Sequence, residues 1–185
     1  MAGVKPPPGL PQIEYVLDRE VSAVLDEQLR ALLSMCFTGS HNERFKWQRY
    51  YNEIPQHRWL IREPGRVIAH IAVHEKRIGT AAGEFPICGI AEVAVHPEFR
   101  RRGLAKQLLV PAHAAFAREG VPFSFLFGNT TVYGSSGYTP VKNAVRHFDF
   151  ACHEWLVRPL GAAMVKELGT TAWPEGEIDL RGPVF

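Results

Sequence analysis

The stretch Glu92-Val93-Ala94-Val95-His96-Pro97-Glu98-Phe99-Arg100-Arg101-Arg102-Gly103-Leu104-Ala105 constrains the fold of this chain more than any other. An apolar, β-branched run stops at a proline, an arginine-rich turn follows, and the turn hands over directly to a helix. Such a turn exposes several backbone N–H groups at a helix N-terminus, beside positive side chains. That arrangement binds a phosphate or pyrophosphate.

Composition narrows the setting. With 185 residues, 46% of them hydrophobic, the chain can bury a core of its own. Residues 1–11 hold Pro6, Pro7, Pro8 and Pro11 and read as an extended tail, which leaves residues 12–185 as one domain. A net charge of +2 gives no nucleic-acid footprint, and the positive residues cluster at Arg100, Arg101 and Arg102, as one anionic site requires. Cys36, Cys88 and Cys152 are odd in number and lack a Cys-x-x-Cys spacing, so they read as free thiols in a reducing cytoplasm. No apolar run reaches the roughly 18 residues of a membrane span, and no signal-peptide pattern is present.

Periodicity orders the elements. Residues 13–17 alternate as a first strand. Ser22 caps a helix to about Phe37 with Val24, Leu25, Leu29, Leu32 and Leu33 on its apolar face. A second amphipathic segment covers 42–51. Residues 59–63 and 67–74 form a hairpin around Pro64-Gly65, and 85–95 is a long apolar strand. A helix follows over 103–119, where Pro111 should kink or split it at a cost of about 3 kcal/mol. Further strands are expected at 123–127, 145–150 and 155–157, a turn or short helix at 133–137, a last helix at 160–168 and a coil over 173–185. The order is that of a mixed α/β (α+β) sheet, mostly antiparallel in its first half.

Arg100-Arg101-Arg102-Gly103-Leu104-Ala105 fits the pattern Arg/Gln-x-x-Gly-x-Gly/Ala. After a strand ending in Val-His-Pro, it resembles the acyl-CoA-binding motif of the GNAT superfamily of N-acetyltransferases. Gly103 and Ala105 let backbone approach the pyrophosphate. No Gly-x-Gly-x-x-Gly and no Gly-Lys-Ser/Thr competes with this reading. Later, Leu126-Phe127-Gly128-Asn129-Thr130-Thr131-Val132-Tyr133-Gly134-Ser135-Ser136-Gly137-Tyr138 resembles the superfamily's strand followed by Tyr-x-x-x-Gly-Phe/Tyr. The resemblance covers most of residues 12–160. It implies a sheet splayed at the acyl-CoA site, acetyl-CoA as acyl-donor co-substrate, and a primary amine of a small molecule as acceptor. It implies that Tyr133 is the general acid that protonates the departing thiolate. It places Val93, Ala94 and Val95 along the cofactor arm, one N–H polarising the thioester carbonyl. It also puts Arg100, Arg101, Arg102, Gly103, Leu104, Ala105, Lys106 and Asn129 in the cofactor site. Glu92 is the candidate base, with Glu84 and His74 weaker ones. His70 and His74 lie at i, i+4 on a strand, which is no metal-ligand set. Absence of cysteine from both motifs favours direct attack over a cysteine relay.

Two branches come closer. Residues 66–73 with 88–95 look like the aminoglycoside acetyltransferases that modify the two-prime amine. Residues 120–125 and the Trp-x-x-Gly tail from Trp173 look like the rhizobial nodulation N-acyltransferase. The resemblance would turn Trp173 and Asp179 towards the acceptor. His41-Asn42-Glu43-Arg44-Phe45-Lys46-Trp47-Gln48-Arg49, with one acid and three bases, argues against a polycationic acceptor, and Phe45, Trp47, Tyr50 and Tyr51 suggest one with apolar surface. A longer-chain acyltransferase, a non-catalytic acyl-CoA-binding module and a homodimeric assembly stay open at this point.

Overall fold

A computed structural model of the chain describes residues 12–185. The Pro-rich stretch 1–11, expected as a tail, lies outside the described residues. Strands β1 (Ile13–Leu17), β2 (His57–Glu63), β3 (Arg66–Thr80), β4 (Gly83–Val95), β5 (Phe123–Phe127), β6 (Thr139–Pro140), β7 (Ala144–Asp149), β8 (Glu154–Pro159), β9 (Ala163–Glu167) and β10 (Ile178–Pro183) build one mixed sheet. Helices α1 (Ala23–Cys36), α2 (Leu104–Arg118) and α3 (Thr130–Tyr133) flank it. The path runs β6-β9-β5-β4-β3-β10-β7-β8, with β1 and β2 on the first half of β3.

Local sequence explains the helices. Ser22 caps α1 by accepting from the Leu25 N–H at 3.3 Å, and Leu25, Leu29, Leu32 and Leu33 bury one face. Helix α2 runs from Leu104 to Arg118 through Pro111 and is not split there. Leu104, Leu108, Leu109, Ala112 and Phe116 are buried against the sheet, and this packing outweighs the lost backbone bond.

Two expectations fail. Residues 160–168 hold no helix: Ala163, Met164 and Val165 are all buried in β9, which pairs with β5 and β6. A short run of consecutive apolar residues fits a fully buried strand as well as a helix, and strand pairing decided it. The coil expected over 173–185 contains β10. There Ile178 and Leu180 point into the core and Asp179 out, beneath the glycine and proline that disguise the alternation.

Strand β3 organises the sheet. Its first half pairs with β2, its far end meets β10 at Gly79↔Asp179, and its other edge carries β4 over almost the whole length. One core lies between the sheet and α2, and a second on the opposite face around Phe123, Phe125, Val145, Ile178 and Leu180.

Candidate active site

The sheet opens at its centre. Strands β4 and β5 pair in parallel from Ile87↔Phe123 to Ile90↔Leu126 and no further. Beyond that point β4 continues to Val95, while β5 ends at Phe127 and Gly128 turns away to bond the Ala162 carbonyl at 2.7 Å. A wedge is left along one edge of Val93, Ala94 and Val95.

A β-bulge marks its mouth. The β3–β4 register slips between His70↔Ala94 and Ala72↔Ala91, so that Glu92 and Val93 together face Ile71. Glu92 adopts φ +45, a left-handed conformation that L-residues occupy at a cost of about 1–3 kcal/mol. The bulge carries the glutamate off the strand's regular alternation and into a buried polar cluster.

At the wedge's other end, the Pro97–Phe99 turn leads into α2. Arg101 and Gly103 have φ +63 and +71, which curl the chain so that α2 starts abruptly at Leu104. No atom lies within 4 Å of where a Gly103 Cβ would sit. Arg100 and Arg102 are exposed, Arg100 Nε bonding the Val95 carbonyl and Arg102 reaching the Glu98 carbonyl. The first-turn N–H groups of a helix have no intrahelical partner. These donors and the arginines beside them make a cradle that fits a pyrophosphate. Leu104 is buried, so only its backbone serves such a ligand, whereas Ala105 is half-buried and Lys106 exposed. Asn129 spends its Oδ1 on capping α3 at Val132 N.

At the bulge, where β4 and β5 part, lies a cavity of about 170 Å³, lined among others by Phe37, Phe45, Tyr51, Glu92, Val93, Tyr133 and Phe185. Tyr133 closes α3, its ring over Gly128: a Cβ there would come within 2.3 Å of the ring. Its hydroxyl makes no hydrogen bond among the described residues, and burial pushes the phenol up to about 12, so it keeps its proton at neutral pH. Glu92 accepts from the Tyr51 N–H through Oε1 at 2.9 Å, while its buried Oε2 has no partner among the described residues. Burial lifts the Glu92 carboxyl to about 7, against the opposing pull of Arg58 and the Tyr51 N–H.

Beneath Glu92 lies a buried ionic chain. Arg58 is wholly buried and bonds Asp18 at 2.6 Å, His70 Nε2 at 3.0 Å and the Arg49 carbonyl at 3.0 Å. Arg49 in turn holds Asp18 and Asp26. Burial would raise the Asp18 carboxyl, but Arg49 and Arg58 hold it below its ordinary value.

Of the sequence candidates, Glu92, Val93 and Tyr133 meet at this cavity. Glu84 pairs with Arg77 and Arg181 on the surface, and buried His74 packs on Phe185. Trp173 and Asp179 do not reach the cavity. Trp173 packs on Phe123 and Phe125 and donates to Asn143, and Asp179 pairs with Arg146. Arg58, His70 and Phe185 went unrecognised as parts of the site from sequence: buried polar residues inside strands look like ordinary alternation, and a terminal phenylalanine looks like core. A second, wider cavity of about 570 Å³ shares Tyr51 and Phe127 with the first and carries Arg44, Asp149 and Arg158.

Comparison with known proteins agrees with this geometry. The pattern of the family described as acetyltransferase (GNAT) domain matches residues 19–141. N-acetyltransferase Eis of Mycobacterium tuberculosis and of Mycobacterium bovis is 34% identical over 80 residues, 42% of this chain and 20% of that protein. The chain thus spans about a fifth of the length of these curated relatives. Among solved structures, the fold resembles GNAT family N-acetyltransferase YhbS from Escherichia coli in complex with CoA (TM-score 0.63, 17% identity, 96% of this chain and 93% of that one). It also resembles a GNAT family acetyltransferase from Brucella melitensis in complex with acetyl-CoA (TM-score 0.60, 15% identity, 90% and 94%). With the splayed sheet, the glycine-led α2 and the family pattern across two-thirds of its residues, the chain belongs to the GNAT acetyltransferase family.

Proposed function

We propose that the protein transfers an acetyl group from acetyl-CoA to a primary amine of a small molecule by direct attack, with Glu92 as base and Tyr133 as acid. The observation that carries this reading is the cavity where β4 and β5 part, with Glu92 and Tyr133 among its walls. Bound acetyl-CoA supplies the acetyl group as a thioester.

Each residue's part follows from its environment. A carboxyl poised near 7 is matched to taking a proton from an ammonium close to neutral pH. The Val93 N–H offers a fixed dipole to a developing oxyanion, and Tyr133 retains a proton to return to a thiolate. Arg100, Arg101, Arg102 and the start of α2 hold the pyrophosphate.

The walls speak for the acceptor and the acyl group. Among the described residues, Glu92 is the only acidic one lining the inner cavity, amid six aromatic rings. One carboxyl among π-faces suits a single ammonium on an apolar body better than a polycation. The small volume favours acetyl over a long acyl chain. The wider cavity gives room for the rest of the acceptor.

Free Cys36, Cys88 and Cys152 support a cytoplasmic setting. Among the described residues, no helix is long and apolar enough to cross a membrane.

Incubation with acetyl-CoA and a panel of primary amines, followed by release of free thiol, tests the reading. Thiol release dependent on a monoamine is expected. Acetyl-CoA binding by calorimetry without release from any amine would make this a binding module instead.

A further inference from the structure

His70 is wholly buried in β3, opposite the bulge, and its two ring nitrogens have different partners. Nε2 lies 3.0 Å from Arg58 Nη1, and Nδ1 lies 3.1 Å from the Glu92 carbonyl oxygen. A guanidinium has no acceptor, so Nε2 must receive its N–H as a lone pair, and the ring proton sits on Nδ1. The Glu92 carbonyl can only accept, which the same tautomer satisfies. Burial and the charge of Arg58 keep the ring from taking a second proton, against the pull of that carbonyl. The imidazole is therefore held in one tautomer, as a donor to the backbone of the bulge.

This has a directional consequence. In a regular ladder strand carbonyls take backbone N–H groups; at this bulge the Glu92 carbonyl takes a side-chain donor, His70 Nδ1–H. The Glu92–Val93 peptide is trans and planar, so the Glu92 carbonyl and the Val93 N–H point in opposite directions. Holding the carbonyl to His70 turns the N–H away from it.

We propose that His70, oriented by Arg58, is a positioning residue for acyl transfer: it fixes the Glu92–Val93 peptide so that the Val93 N–H faces the opening between β4 and β5. This rests on the reading of that opening as the acyl-CoA site. The groups that set the ring's state come from several elements. Arg58 lies on β2, Asp18 and Arg49 lie behind it, and Glu92 stands across the bulge with the Tyr51 N–H on its carboxyl. Among the described residues, no other titratable side chain bonds the ring.

Two substitutions separate positioning from mere packing. In His70→Asn the side-chain amide carries a donor near the place of Nδ1; in His70→Gln the donor lies near the place of Nε2. Both leave polar groups to face Arg58. For the full chain, kcat, the KM for acetyl-CoA, thermal stability and the Val93 amide resonance on acetyl-CoA addition are measured for each.

His70→Gln is expected to lower kcat by about 10- to 100-fold, as misdirecting one oxyanion donor should, with KM for acetyl-CoA changed less than about 3-fold. His70→Asn should recover most of that loss. The Val93 amide should shift on acetyl-CoA addition in wild type and His70→Asn, and respond weakly in His70→Gln. Equal kcat and equal Val93 response in both variants, whatever their stabilities, would reduce His70 to a structural role. If either variant fails to fold, Arg58→Lys replaces it, keeping the charge but not the fork. A selective loss of kcat then supports positioning, and an unchanged kcat overturns it. Wild-type protein that binds no acetyl-CoA in calorimetry would instead remove the underlying reading of the site.

Discussion

The ring of Phe185 occupies the space that a side chain at position 89 would need: a Cβ on Gly89 would come within 2.7 Å of Phe185 Cε2. Gly89 lies in β4, one residue before the last β4–β5 pairs end, and Phe185 walls the inner cavity. A small residue in one strand thus makes room for an aromatic wall of the inner cavity.

Gly89→Ala is expected to push that ring aside. Overpacking of this kind costs about 1–3 kcal/mol, read as a lower midpoint in thermal or urea unfolding. Turnover with small amines should fall with it. Phe185→Ala should do the reverse to the cavity, and its rate with propionyl- or butyryl-CoA relative to acetyl-CoA should rise. An unaltered donor preference would place Phe185 outside the acyl side of the site.

Tyr133→Phe isolates the phenol. The hydroxyl has no partner among the described residues, so the melting temperature should move little. Loss of a general acid should lower kcat by about 100-fold with little change in KM. Steady-state kinetics with free-thiol detection checks this, and full turnover would remove the acid assignment.

Glu92 links rate and stability to pH with opposite signs. As a base with its carboxyl near 7, it should make kcat/KM fall about tenfold per pH unit below that value, and Glu92→Gln should lack this limb. Stability runs the other way. The folded value lies above the ordinary 4.5, so the folded state binds the extra proton between the two values and loses stability as pH rises through about 7. Glu92→Gln should therefore melt higher than wild type at pH 8, with the gap closing near pH 5. Scanning calorimetry at the two pH values reads this out.

Three buried imidazoles pull stability in the opposite direction on acidification. Burial above all drives His74 down to about 3 and His113 to about 4, and His70 lies well below its ordinary 6.5. The unfolded chain protonates these rings first, so their contribution is complete above about 6.5 and is lost as pH falls towards the folded values. Glu92 offsets one of the three between about 7 and 4.5, and Asp18, held low, gives way only below that range. The melting temperature should decline from pH 7 to pH 5 at constant ionic strength. A flat or rising profile would show that the rings are reached by water.

Much of this site was legible because its chemistry sits in contiguous sequence. The strand–turn–helix of 92–105 carries its own strand run, proline stop and glycine start, and Asn129 to Tyr138 carries the second half. The rest was not legible, for two reasons. Arg58 and His70 come from strands separated by a hairpin, and only the β2–β3 register brings them together under the bulge. Strands β9 and β10 were hidden because a buried strand shows no alternation, and because Gly182 and Pro183 imitate a coil. Trp173, read towards the acceptor by resemblance, found a more favourable place edge-on to Phe123 in the core.

The insertion of β10 between β3 and β7 bears on the order in which the molecule assembles. The β2–β3 and β3–β4 hairpins and α2 join neighbours in sequence, whereas Gly79 and Asp179 meet across roughly a hundred residues. Closing so long a loop is slow, and it gains nothing until the partner edge exists. The cofactor half of the cleft should therefore acquire protection from hydrogen exchange early in refolding. The wall formed by Phe185, which follows β10, should acquire it last, so that the molecule passes through a stage able to hold its donor before it can choose its acceptor.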